Sequence, residues 1–271
     1  MKKTILVTGA SSGIGRDTVK YFQSRGWNVL ATMRQPANDT ELAQLENVVV
    51  TRLDVLDNTS VETAVALGIR TFGKIDVVLN NAGYGAYGPL ESFSRESIIR
   101  QFDTNVIGLL DVTRALLPHF RSNRDGIIIN ISSVGGKLAF PFGSLYHGTK
   151  FAVEGISESL DFELREFGVK VKIVEPGAVA TDFKGRSMDI SNDETLLEYQ
   201  PLLGKVIGAM DEFFVHASAP VKIAEVIFEA ATDGKNQLRY IAGEDARQMI
   251  GARKQLDDES LDATLRMQFG L

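Results

Sequence analysis

The sequence predicts an α/β fold: a doubly wound parallel sheet of seven strands flanked by helices, built as a single domain over residues 1–271 with a small helical cap inserted at 181–220. Three observations predict it. Short runs rich in β-branched residues alternate with longer amphipathic stretches of helical spacing. Several runs, such as Val77-Val78-Leu79 and Ile127-Ile128-Ile129, are apolar on both faces, as strands covered by helices on both sides must be. The alternation breaks only once, at Thr181–Pro220.

The first strand is Thr4–Val7. The residues around it resemble a secretion signal, but the apolar run is too short and passes straight into Gly9 and Ser11-Ser12-Gly13. Further strands are expected at Asn28–Thr32, Val48–Arg52, Ile75–Leu79, Gly126–Ile131, Val169–Val174 and Arg239–Ile241. Helical patterns lie between them, at Gly15–Arg25, Ser60–Thr71, Arg95–Phe120, Leu145–Phe167 and Val221–Ala231. The insertion, carrying Met188, Ile190, Leu202, Met210, Phe213 and Phe214, is expected to hold one or two short helices and to cap the sheet edge where ligands bind. The charged stretch Glu244–Leu271 is expected to be a surface helix and tail.

Composition narrows the function. The 271 residues are 44% hydrophobic, enough for a sizeable core, and no stretch approaches a membrane span. Lys and Arg number 29 against 35 acidic residues, a balance that argues against nucleic acid as a partner. The absence of cysteine excludes disulfides and thiolate metal sites. The histidines, His119, His147 and His216, form no H-E-x-x-H pair, so no metal is expected. A cytoplasmic location is expected, since nothing in the chain calls for an oxidising compartment.

After the first strand comes Thr8-Gly9-Ala10-Ser11-Ser12-Gly13-Ile14-Gly15. A turn from strand to helix without Cβ atoms at its close approaches lets backbone amides reach a pyrophosphate, and the helix dipole favours the anion. A bland glycine-rich turn would look the same in isolation. The spacing is not the usual G-x-G-x-x-G; it resembles the T-G-x-x-x-G-I-G turn of the short-chain dehydrogenase/reductase family, a Rossmann-type fold. At the end of the second strand an acid would select NAD, but this chain has Met33 and then Arg34. A guanidinium there can take a 2′-phosphate, although a solvated loop arginine is the alternative. The resemblance implies NADP(H), with Ser11, Ser12 and Thr32 as added hydroxyl contacts.

Asp54 ends the third strand; it is either an acceptor for the adenine amino group, as the family implies, or an N-cap of the next helix, where Asn58, Thr59 and Ser60 offer better caps. Asn80-Asn81-Ala82-Gly83 resembles the family's N-N-A-G, which implies that Asn81, Ala82 and Gly83 pass beside the adenine ribose. A structural turn is the alternative reading.

Tyr146 and Lys150, at i and i+4, share one helix face. A phenol is a poor acid–base at neutral pH, and a neighbouring ammonium is expected to lower its pKa. Taken alone, such a pair is most often structural. Ser133, with Ser132 as its near rival, follows the strand Gly126–Ile131 and can hold a substrate oxygen. The family's N-x-S-S and Y-x-x-x-K motifs imply Ser133, Tyr146 and Lys150 as the catalytic hydroxyl, acid–base and cation. They also imply Asn105, in Asp103-Thr104-Asn105-Val106, as a fourth member that disturbs its helix and holds a water leading to the lysine. Pro176-Gly177 resembles the family's turn beside the nicotinamide, with Val179 and Thr181 meeting the carboxamide. His147 is expected to point away from Tyr146, as a structural or pocket-rim residue.

The resemblance spans roughly Lys3 to Ala231 with every motif in order. It implies an NADP(H)-dependent oxidoreductase acting on a small-molecule carbonyl or alcohol, assembled as a homodimer or homotetramer. A cofactor-binding sensor or scaffold on the same fold is the alternative. An epimerase or dehydratase of the extended relatives fits poorly, with Ser12 inside the turn and too little chain for a larger substrate domain. The loops Tyr84–Pro89 and Val134–Phe140 suggest a mainly apolar pocket, and the Ala31–Arg34 strand end resembles members acting on steroids, retinoids and other lipophilic carbonyls. Lys137 and Arg186 are candidates for meeting an acidic substrate instead.

Overall fold

A computed structural model describes residues 2–181, 185 and 187–271. Seven parallel strands form the central sheet in the order β3-β2-β1-β4-β6-β7-β9. They are β1 (Thr4–Val7), β2 (Asn28–Met33), β3 (Val48–Arg52), β4 (Val77–Asn80), β6 (Gly126–Ile131), β7 (Val169–Pro176) and β9 (Arg239–Ala242). The expected strands are all present, with ends shifted by a residue or two.

Side chains alternate across the sheet, and each set meets its own helical layer. Ile5, Val7, Val29, Ala31 and Leu79 pack with Val19 and Phe22 of α1 (Gly13–Ser24) and with Ile223 and Ile227 of α7 (Pro220–Thr232). Leu6, Leu30, Val78 and Ile128 pack against α2 (Asn58–Phe72), α4 (Gly108–Asn123) and α5 (Ser144–Arg165) through Val61, Val112, Leu116 and Leu164. Burial on both faces is why these strands read as continuous apolar runs.

The long helix expected at Arg95–Phe120 is broken. α3 (Arg95–Phe102) runs into one wide π turn, Asp103–Ile107, before α4 begins. Asp57, not Asp54, caps α2 by accepting from the Ser60 amide at 3.2 Å. The inserted segment also departs from expectation. Met188–Ile190 forms a strand, β8, paired in parallel with β5 (Gly85–Tyr87), and the helix that follows, α6 (Gln200–Val215), has 16 residues rather than being short. The C-terminal stretch is two helices, α8 (Glu244–Gln255) and α9 (Asp258–Phe269), that bury Ala246, Ile250, Leu261 and Phe269. They are part of the fold and not a surface tail.

Because β1 lies between β2 and β4, the chain leaves the sheet centre in opposite directions and opens a crevice beyond the carboxyl ends of these strands. Most of the site motifs border it, Asn105 being the exception.

Candidate active site

The crevice is a continuous cleft of about 1450 Å³, larger than a drug-sized pocket and long enough in its lining for a dinucleotide plus a substrate. One end is built by the turn after β1. Gly13 adopts φ +52°, and a Cβ there would press on the Thr181 side chain; a Cβ on Gly15 would collide with the Gly9 carbonyl oxygen. Larger residues would force the turn apart. Ser12 occupies the N-cap of α1 without capping it by its side chain, and the first turn carries no acid, so the positive helix end faces the cleft.

The turn is stitched to the strap after β4. The Thr8 hydroxyl accepts from the amides of Asn81 (2.9 Å) and Ala82 (3.1 Å), while Asn81 Nδ2 donates to the Thr8 carbonyl at 2.9 Å. Arg34 and Asp54 line the cleft farther along, beside β2 and β3. Arg34 is exposed, and no described side chain takes its guanidinium in a hydrogen bond or ion pair. The nearby Arg16 is committed: it binds Glu41 at 2.7 Å and the Ser11 carbonyl at 3.1 Å. Asp54 Oδ1 accepts from the Leu56 amide at 3.1 Å, and so orders its own loop. Thr32 is not available as an extra contact, because its hydroxyl is buried and donates to the Val7 carbonyl at 2.9 Å.

At the other end, β6 delivers Ser133 and α5 delivers Tyr146 and Lys150 to one wall. Ser133 hydrogen-bonds the Tyr146 phenol. Ser132 turns inward toward Gly136, where its hydroxyl finds no hydrogen-bond partner among the described residues. The two serines are thereby distinguished. Lys150 Nζ donates to the Ile131 carbonyl at 2.8 Å and lies 5.7 Å from the centre of the Tyr146 ring. Burial lowers the Lys150 pKa to about 8, with Glu154 opposing the shift. The expectation that the lysine lowers the Tyr146 pKa is not met: burial raises the phenol above its ordinary value, and the Ser133 bond is what opposes it. The Tyr146 phenol is therefore neutral at neutral pH.

Asn105 sits in the π turn and does not line the cleft. Its Oδ1 accepts from the Tyr84 amide (3.0 Å), and its Nδ2 donates to the Tyr84 carbonyl (2.8 Å) and to Thr149 Oγ1 (3.1 Å). It fixes the loop after the strap against the catalytic helix. Pro176, Gly177, Val179 and Thr181 all border the cleft. Their turn is held by Asp245 of α8, which accepts from the Ala178 amide at 2.7 Å. That anchor was missed in the sequence, where Asp245 is one acid among many in a charged stretch. Phe269 was also missed: with Phe140 and Phe213 it forms an aromatic wall with ring centres 5.7–5.9 Å apart. Lys137 faces Glu154 at 3.7 Å rather than the cleft. Arg186 lies outside the described residues.

A glycine turn at a helix N-terminus, a long cleft and a Ser–Tyr–Lys wall, all beyond the carboxyl ends of the strands, point to hydride chemistry. Residues 3–190 match the family model described as short chain dehydrogenase. The chain belongs to the short-chain dehydrogenase family. This short-chain dehydrogenase is 47% identical over 239 residues to an uncharacterized oxidoreductase of Schizosaccharomyces pombe, covering 88% of this chain and all of the relative. It is 32% identical over 255 residues to retinol dehydrogenase 8 of Bos taurus, covering 88% and 80% of the two chains. Among solved structures it is similar to a short-chain dehydrogenase from Streptomyces avermitilis, with TM-score 0.84 and 33% identity over 98% of this chain and 95% of the other. It is also similar to ElxO with NADP bound, with TM-score 0.73 and 26% identity over 89% and 98%. The protein is an oxidoreductase with a Rossmann-type fold. No helix among the described residues is long and apolar enough to cross a membrane.

Proposed function

We propose that this short-chain dehydrogenase uses NADP(H) to interconvert a ketone or aldehyde and an alcohol on a lipophilic small molecule. The observation that carries the reading is the cleft itself: an uncommitted Arg34 stands at one end and the Ser133–Tyr146 pair, with Lys150, at the other. In this reading Gly9, Ser11, Ser12, Gly13, Ile14 and Gly15 hold the pyrophosphate and Arg34 the 2′-phosphate. Asp54 meets the adenine, and Asn81, Ala82 and Gly83 lie along its ribose. Lys150 and Tyr146 bind the nicotinamide ribose; Pro176, Gly177, Val179 and Thr181 seat the carboxamide.

When bound, the cofactor supplies or accepts the hydride. The protein supplies the proton. As a carbonyl carbon is reduced, its oxygen gains negative charge; Ser133 donates a hydrogen bond to that oxygen and Tyr146 transfers the phenolic proton to it. Lys150, still largely protonated below its pKa of about 8, stabilises the phenolate left behind. Asn105 holds the Tyr84 loop and Thr149 in register and orders the route by which water returns a proton toward Lys150. The aromatic wall of Phe140, Phe213 and Phe269 favours an apolar substrate body. The inserted segment 181–220 acts as a cap that excludes water during transfer. The retinoid named in the bovine relative is consistent with that pocket.

Calorimetric titration with NADP+ and NAD+ tests the cofactor assignment. NADP+ is expected to bind more tightly, and Arg34→Ala to remove most of the difference. Equal or tighter NAD+ binding in the unaltered protein sinks it. NADPH consumption across a panel of aldehydes and ketones then identifies the substrate.

A further inference from the structure

His147 stands next to the reacting phenol, yet both of its ring nitrogens are engaged elsewhere. It is 3% exposed. Its Nε2 accepts a hydrogen bond from the Phe140 amide at 3.0 Å. An imidazole that accepts at Nε2 carries its single proton on Nδ1, which lies 3.0 Å from the Gly135 carbonyl oxygen and donates to it. The ring thus bridges the two ends of the loop that follows Ser133. The loop backbone is pressed onto it: a Cβ on Gly143 would lie 2.5 Å from His147 Cδ2, and one on Gly135 would lie 2.7 Å from Nδ1. Phe140 and Tyr87 meet the ring edge-on at 5.3 and 6.3 Å between centres.

Both ends of that loop lead to the active site. The Gly135 amide donates to Ser133 Oγ at 3.0 Å, which leaves the Ser133 proton to the phenol or a substrate oxygen. The Phe140 ring belongs to the aromatic wall with Phe213 and Phe269. We propose that His147, as the neutral Nδ1–H imidazole, is a positioning residue that clamps this loop, orienting Ser133 through Gly135 and the apolar wall through Phe140. Its value to catalysis rests on the function proposed above; the clamp itself does not.

The clamp has a built-in pH limit. A second proton would put an Nε2–H against the Phe140 N–H, donor facing donor, on a ring that is buried. The titratable groups facing the ring are phenols, Tyr87 from β5 and Tyr146 from its own helix. Lys137, the charged residue of the loop, is turned toward Glu154. No carboxylate contributes to stabilising an imidazolium, and burial holds the pKa below the ordinary 6.5. The neutral form is therefore favoured by folding: the clamp's contribution is complete above that ordinary value, and the clamp is released only as the pH falls through the lower value the folded ring has.

Two measurements on the full-length protein test the proposal without any substrate, so their failure is separate from failure of the proposed function. The first is long-range ¹⁵N NMR of the histidine rings, with His147 assigned through its variants. It is expected to show an Nδ1–H tautomer that titrates below 6.5; an Nε2–H tautomer overturns the proposal. The second is amide hydrogen exchange at Gly135 and Phe140, each taken relative to Ile128 in the core of β6. In His147→Phe the Phe140 ratio is expected to rise roughly tenfold, the loss of one net hydrogen bond, and the Gly135 ratio to rise as well, because its carbonyl loses the ring that holds its amide against Ser133. His147→Gln, which offers an acceptor to Phe140 and does not titrate, is expected to restore protection there and to keep it as the pH is lowered below 6.5, through the range in which the unaltered protein loses it. His147→Asn, which offers a donor to Gly135, is expected to restore that amide instead. Unchanged ratios in His147→Phe overturn the clamp.

Discussion

Lys150 is held against the preference of its own charge. Its pKa in the folded protein is about 8, well below the 10.5 of an exposed lysine. The folded state therefore binds fewer protons than the unfolded chain between those values, and stability rises with pH across that window. Below it, keeping the ammonium buried costs stability. Lys150→Met is accordingly expected to stabilise the cofactor-free protein at neutral pH by on the order of 1–2 kcal/mol, after the lost bond to Ile131 is subtracted, while abolishing turnover. Thermal unfolding at pH 7 and at pH 10 checks this, since the gain should shrink at the higher pH; a destabilised variant at pH 7 would contradict it. The residue types of the site were legible in the sequence because each motif names them. Their electrostatics were not. The shift of Tyr146 depends on burial and on one hydroxyl, and the choice between Ser132 and Ser133 depends on which side of the β6 end each faces. Spacing does not encode the first; for the second, the family motif already pointed to Ser133.

At the scale of elements, strands and flanking helices were legible almost to the residue because a two-faced parallel sheet leaves unbroken apolar runs. Several elements were not, the β5–β8 pair among them. The π turn at Asp103–Ile107 keeps a helical pattern, so its extra residue is invisible until Asn105 and Gln101 are seen gripping the backbone of Tyr84 and Ala86. The C-terminal helices read as surface because their few apolar residues, Phe269 among them, are widely spaced in a charged stretch. Asp245 gives that stretch a consequence for the site. Asp245→Ala frees the Ala178 amide and is expected to weaken NADP+ binding about tenfold, as loss of a charge-assisted bond of roughly 1.5 kcal/mol implies. Calorimetry checks it; an unchanged affinity would show that the turn holds without α8. Cap segment 187–220, which joins the body through β5 and β8 and the Arg100–Asp189 pair, is expected to gain hydrogen-exchange protection when cofactor and substrate are both bound. Identical protection with and without ligands would remove its role as a lid.

The whole molecule shows an apolar face with no partner in the monomer. Ile99, Phe102 and Ile107 around the π turn, and Phe151 and Phe162 of α5, are exposed, Phe162 by 74%. A soluble monomer seldom leaves so many large side chains on neighbouring helices in water. We expect a symmetric homodimer or homotetramer through the helical stretch Phe102–Phe120 and α5, dissociated by Phe162→Glu; light scattering at micromolar concentration reads it. A monomeric mass for the unaltered protein would contradict it. This surface was legible only as an excess of helix hydrophobicity, because sequence alone does not say which apolar residues the sheet consumes.

The central claim is that Tyr146 moves the proton while hydride moves at the other end of the same bond. Tyr146→Phe keeps the ring that packs 5.4 Å from Tyr87 and removes only the hydroxyl. The most direct measurement is kcat for NADPH oxidation by an accepted carbonyl, with the NADPH dissociation constant determined on the same variant. A fall in kcat of about 10²–10⁴ is expected, with NADPH affinity changed far less because the phenol is one of many contacts to the dinucleotide. Turnover by the Phe variant within a few-fold of the unaltered enzyme would contradict it.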